Sequence, residues 1–116
     1  MRFYIEQLLH LSGMSRNYIG YDYFIDAIIL AMENPERLHH VCEEIYIPVA
    51  KKHHTTRAAV ERNLRTLRDV CITNHGIDYL CKLGYNYREQ HIPYPRELIE
   101  FYAYYCNITF TSKTDQ

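Results

Sequence analysis

From Thr56 onward the chain places Val60, Leu64, Leu67 and Cys71 at spacings of four, three and four, which gives a helix of about four turns one continuous apolar face. Its other face carries Arg57, Glu61, Arg62, Arg65 and Arg68. The same helical period runs through the rest of the chain, and no sustained alternation argues for a sheet. The expected fold class is therefore all-α, a compact bundle of six or seven helices containing a helix-turn-helix.

That motif is read from Tyr46 to Arg65, YIPVAKKHHTTRAAVERNLR. Ala50 lies four residues before His54 and ten before Val60, a register in which a small residue lets two helices cross closely and an apolar one seals the crossing. The turn falls at His53 to Thr55. His54 occupies the position that needs a left-handed backbone, where Gly is the least strained choice and His is one of the enriched alternatives. Lys51 and Lys52 join the arginines on one charged surface, as in a recognition helix whose N-terminal half enters a major groove. A merely solvated helix face would look the same, and helix-turn-helix geometry also occurs in proteins that touch no nucleic acid.

Around the motif, the first helix is expected at Phe3 to Leu11, ended by Ser12-Gly13, and a strongly apolar second helix at Tyr21 to Met32. Asn34-Pro35 is a cap followed by a first-turn proline, so a third helix should run from Pro35 to about Ile45 with Leu38, Val41, Cys42 and Ile45 inward. Pro48 then begins the short first helix of the motif. Thr55 or Thr56 caps the recognition helix, which should last to about Thr73 before Asn74-His75-Gly76 stops it. A short helix follows at Ile77 to Leu83. The last helix should cover Arg96 to about Tyr105, with Leu98, Ile99, Tyr102 and Tyr105 facing the core or a partner and a frayed tail over residues 109–116. Phe101 beside Tyr102, Tyr104 and Tyr105 fits either core packing with rim hydroxyls or a dimer surface.

At 116 residues and 47% apolar content the chain should form one domain, residues 1–116, with a core of ordinary size. It has no internal repeat, no run long enough to span a membrane and no signal-peptide pattern, so it is expected to be cytoplasmic. Cys42, Cys71, Cys81 and Cys106 are widely spaced and read as free, buried thiols. His39, His40 and Cys42 form one cluster and His53 and His54 another, but no cysteine pair has ligand spacing, so neither a metal nor a cofactor is expected. Net charge is −1, poor for a nucleic-acid binder if charge were spread evenly. It is not: residues 50–69 hold Lys51, Lys52, Arg57, Arg62, Arg65 and Arg68 against Glu61 and Asp69.

Six blocks carry a resemblance to a known family: LLHLSGM at Leu8 to Met14, GYDYFIDAI at Gly20 to Ile28, IPVAKKHHTT at Ile47 to Thr56, VERNLR at Val60 to Arg65, GIDYLCKLGY at Gly76 to Tyr85, and PYPRELI at Pro93 to Ile99. In order and nearly in spacing they resemble the C-terminal DNA-binding effector domain of stage zero sporulation protein A, the response regulator that initiates sporulation. The resemblance implies double-stranded DNA as partner and a possible homodimer on tandem sites. It also implies that Glu61, Arg62 and Arg65 read bases while Lys51, Lys52, Thr55, Thr56, Arg57 and Arg68 hold the backbone. Met1 so close to the first matching block, at Leu8, suggests a stand-alone effector domain with no receiver to phosphorylate.

The departures are as informative. Where the family's recognition helix reads Ser-Arg-Val-Glu-Arg, with the first Arg a base reader, this chain has Ala58-Ala59, and Thr66 replaces a family His. Just after Cys81 the chain is one residue short of the family pattern. Backbone docking is thus expected to survive with a different target sequence. No phosphate loop, nucleophile elbow or paired ligand motif points to an enzyme, and neither a membrane nor a small-molecule substrate is implied. The competing expectation is an interaction module of the same fold that has lost DNA reading and modulates a full-length regulator.

Overall fold

The computed structural model describes residues 1–88 and 91–114, with side chains as far as Phe110. Six α-helices, α1 (Arg2–Leu11), α2 (Gly20–Glu33), α3 (Ile47–Lys52), α4 (Arg57–Thr73), α5 (Gly76–Lys82) and α6 (Pro95–Thr114), are joined between α2 and α3 by a 3₁₀ helix (Pro35–His40) and a π turn (Cys42–Tyr46). The described residues contain no strand, so the all-α expectation holds. None of their helices is long and apolar enough to cross a membrane.

The sequence GYDYFIDAIILAME makes α2 apolar nearly all round, and such a helix must be covered on every side. It nearly is: Asp22 and Glu33 stay exposed, but Tyr21, Tyr23, Phe24, Ile25, Ala27, Ile28 and Ala31 are buried, and α4 and α6 pack against it most extensively. Gly20 lets the start of α2 lie on the α4 backbone, since a Cβ there would run into the carbonyl of Asn63. Val60, Leu64, Leu67 and Cys71, the stripe expected to face inward, are all buried. From α6 come Leu98, Ile99, Tyr102, Ala103 and Cys106. The Tyr102 ring meets Phe24 edge-on, with centroids 5.9 Å apart, and its buried hydroxyl donates to Ser12 Oγ at 2.6 Å. Ser12 in turn donates to the Leu8 carbonyl at 2.7 Å, so both hydroxyls are paired, and among the described residues no buried side-chain polar atom lacks a partner.

Four helices end the same way. Gly13, His54, His75 and Gly84 have positive φ, and each is the first residue past the C-cap of α1, α3, α4 or α5. At α1, for instance, the Met14 N–H returns to the Leu9 carbonyl at 2.9 Å and the Gly13 N–H to that of His10 at 3.0 Å. This pairing satisfies carbonyls that a helix end leaves open.

Several boundaries differ from those expected. Residues 35–45 do not form one α-helix: the chain is 3₁₀ to His40 and then widens into a π turn continuous with α3. Pro48 accounts for the wide turn alone: it has no N–H for the helical ladder, and a proline ring crowds the carbonyl four residues back, here that of Glu44. Ile47 donates instead to the Cys42 carbonyl five residues back, and the proline enters the first turn of α3, where its missing donor costs nothing. The stop after α4 uses His75, not Gly76, for the left-handed residue. Helix α6 runs past Tyr105 to Thr114, so residues from 109 read as tail carry further helical turns, and Asp115 and Gln116 lie outside the described residues. Cys71 and Cys106 are buried free thiols, and burial pushes them up to about 12 and about 11, but Cys42 is only half-buried and Cys81 is exposed.

Gly76 is required by space. A Cβ there would collide with the Ser12 backbone carbonyl and with Cys71 Sγ. Gly76→Ala should therefore cost about 1–3 kcal/mol in urea denaturation, because backbone cannot swing aside as a flexible side chain can. A loss under about 0.5 kcal/mol would mean that α1 and α5 can slide apart.

Candidate nucleic-acid interface

The crossing of α3 and α4 is built from small and apolar residues. Val49 and Ala50 of α3 are buried, and Ala50 lets the two helices approach while Val60 closes the crossing beneath. The turn follows the same C-terminal geometry as the other helices: Thr55 N–H donates to the Ala50 carbonyl at 2.9 Å and His54 N–H to that of Lys51 at 3.3 Å. His54 has φ of 53°, the left-handed conformation expected of it. Thr56, not Thr55, caps α4, its hydroxyl accepting from the Ala59 N–H at 3.1 Å. Tyr46 is buried near the recognition helix, where burial first and then the Glu61 charge push its phenol up to about 12.

At about 100° per residue, Arg62, Ala58 and Arg65 fall opposite the buried stripe of α4, whereas Arg57, Glu61 and Arg68 fall on its flank. The contacts agree. Lys51, Arg62 and Arg65 are exposed and enter no ion pair among the described residues. Arg57 Nη1 lies 3.4 Å from Glu61 Oε1 and donates to Cys42 Sγ at 3.2 Å, so Glu61 is engaged at the side of the helix. Arg68 is bound to Asp69 at 2.9 Å and to the Pro93 carbonyl at 3.4 Å, with 14% of its side chain exposed. Lys52 is bound to Asp26. Of the nine expected contact residues, the structure thus gathers Lys51, Arg62 and Arg65 as unpaired cations beside Thr55, Thr56 and Arg57, and turns Lys52, Glu61 and Arg68 toward protein partners.

The histidines and cysteines named for a metal go separate ways. His39 lies 3.9 Å from Glu36, His53 is bound to Asp26, and Cys42 to Arg57 and Glu61. Among the described residues no three His, Cys, Asp or Glu side chains are placed to hold a metal ion together.

Sequence reading missed Asp26. It lies on the apolar helix α2, is 6% exposed, and receives Lys52 Nζ at 3.0 Å, His53 Nε2 at 2.5 Å and Arg2 Nη1 at 3.2 Å. Its signal was available: one carboxylate inside the run YFIDAII must be paired if buried.

The family model described as sporulation initiation factor Spo0A C terminal matches residues 5–105. The chain belongs to this family. At that level it is a DNA-binding regulator of transcription in the sporulation response-regulator class, and the family is not an enzyme class. The match spans α1 to the middle of α6 and includes the whole of α3, turn and α4.

Burial by itself raises the Asp26 carboxyl, but hydrogen bonds from His53, Lys52 and Arg2, with the Lys52 charge, outweigh it and hold the group below its ordinary value. A pKa lower in the folded than in the unfolded chain stabilises the fold above the unfolded value and ceases to do so as pH falls through the folded one. The stability advantage of wild type over Asp26→Asn should accordingly be present at about pH 5 and shrink as pH falls below about 4, the ordinary carboxylate value. Urea midpoints across that range measure it; an advantage that grows on acidification would contradict an ionised Asp26.

Proposed function

We propose that this chain is a sequence-specific DNA-binding transcription regulator that lays α4 in the major groove, with Arg62 and Arg65 donating to base edges. The observation that carries this reading is their position: both are unpaired on the face of α4 directly away from the buried stripe. A guanidinium can offer two parallel donors to guanine, and two such groups within about 60° on one helix can reach neighbouring base pairs. Lys51, Thr55 and Thr56 lie at the end of α3 and in the turn before α4, where contacts hold phosphates and set register, while Arg57 beside them is turned to Glu61 and Cys42. Ala58 is exposed and Ala59 half-buried, so the entrance of the helix offers methyl groups in place of the family's first arginine. That composition supports a target differing from the family's at one step.

The same methyl groups favour a second reading. An α4 entrance without a base-reading fork suits a module that has kept the fold and binds a full-length regulator instead of DNA. Selection from random duplexes separates the two, since only the first predicts an enriched motif. Arg62→Ala or Arg65→Ala should then cost about 1–3 kcal/mol on the selected site and relax preference at one position. Ala59→Arg should shift preference toward the family's sites. Wild-type protein that binds no duplex above background at about 50 mM salt would leave the interaction module standing.

A further inference from the structure

Lys51 and Lys52 are adjacent and alike in sequence, yet only one is free. Lys52 Nζ lies 3.0 Å from Asp26 Oδ1, and the same carboxylate takes His53 through Oδ2 and Arg2 through Oδ1. Arg2 also reaches Asp22 at 2.8 Å, so two carboxylates from α2 face Arg2 of α1 and Lys52 of α3 in a balanced cluster, with the His53 ring tilted against Tyr23, centroids 4.9 Å apart. A lysine held against a buried carboxylate brings almost no net charge to a phosphate, because the attraction for the phosphate is offset by repulsion from its own partner.

We infer that Asp26 is a positioning residue for DNA docking: it withholds the Lys52 charge from the phosphate backbone and fixes the turn through His53. The basic segment then reduces to its unpaired members. Lys52 is balanced by Asp26, Arg57 by Glu61 and Arg68 by Asp69, which leaves Lys51, Arg62 and Arg65. Every phosphate-seeking cation strengthens binding to all sequences alike and adds to the salt slope, whereas base readers favour the target. Holding one cation back lowers non-specific affinity with little loss on the target. Asp26 is thereby a determinant of selectivity although it lies on a buried helix and touches no base.

This rests on the DNA-binding reading above, and the test keeps the two apart. Affinity is measured against salt on the selected duplex and on a scrambled one, for wild type, Lys51→Gln, Lys52→Gln, Asp26→Asn and the double variant Asp26→Asn/Lys52→Gln. Wild type that binds neither duplex overturns the DNA-binding reading and the inference with it. Given binding, Lys51→Gln should flatten the slope by about one unit and Lys52→Gln should leave it unchanged. Asp26→Asn should steepen it by about one unit and raise affinity several-fold more on the scrambled duplex than on the target, and the double variant should return the wild-type slope. A full unit lost in Lys52→Gln, or equal weakening on both duplexes at constant slope in Asp26→Asn, overturns the inference while the DNA-binding reading stands. Should Asp26→Asn fail to fold, the comparison of Lys51→Gln with Lys52→Gln decides alone.

Discussion

A helix apolar nearly all round cannot remain in water, and the burial of α2 imposes its geometry on everything else. Tyr21 through Ala31 present apolar groups in nearly all directions, so α4 and α6 must close over it from different sides. The depth of the apolar stripe on α4 answers that demand. Once Val60, Leu64, Leu67 and Cys71 are committed inward, the orientation of the opposite face is fixed, and Arg62 and Arg65 point outward as a result.

The one buried charge of α2, Asp26, turns this packing into a mechanical link. Asp26 could be buried only with donors around it, and those donors come from α1, from the end of α3 and from the turn. A single carboxylate therefore joins the amino-terminal helix, the central helix and the reading motif. The direction of α3 is set from below by Val49 and Ala50 and from its end by this ionic tie.

Much of this was legible in the sequence, and the exceptions share a cause. The α4 stripe, the left-handed His54, the threonine cap and the family blocks depend on local spacing, which sequence states directly. The pairs Arg57–Glu61 and Arg68–Asp69 are local too, at spacings a sequence prints, but the partner of Lys52 and the second partner of Arg68 are not: Asp26 is 26 residues from Lys52, and Pro93 is 25 residues from Arg68. A list of basic residues overstates the charge offered to solvent because it omits contacts made across such separations. The segment before Pro48 failed for a different reason, since periodicity over residues 35–45 does not distinguish an α-helix from a 3₁₀ helix followed by a wider turn. In the sequence Gly76 is part of a helix stop, and only the proximity of Ser12 shows that it answers to crowding.

The π turn at Cys42–Tyr46 also bears on α3. A wide turn is an α-helix holding one surplus residue, and it can accept or shed that residue by local rewinding. The surplus residue is taken up before Pro48, so α3 starts in regular register and meets the central helix at Val49 and Ala50 without carrying the irregularity onward.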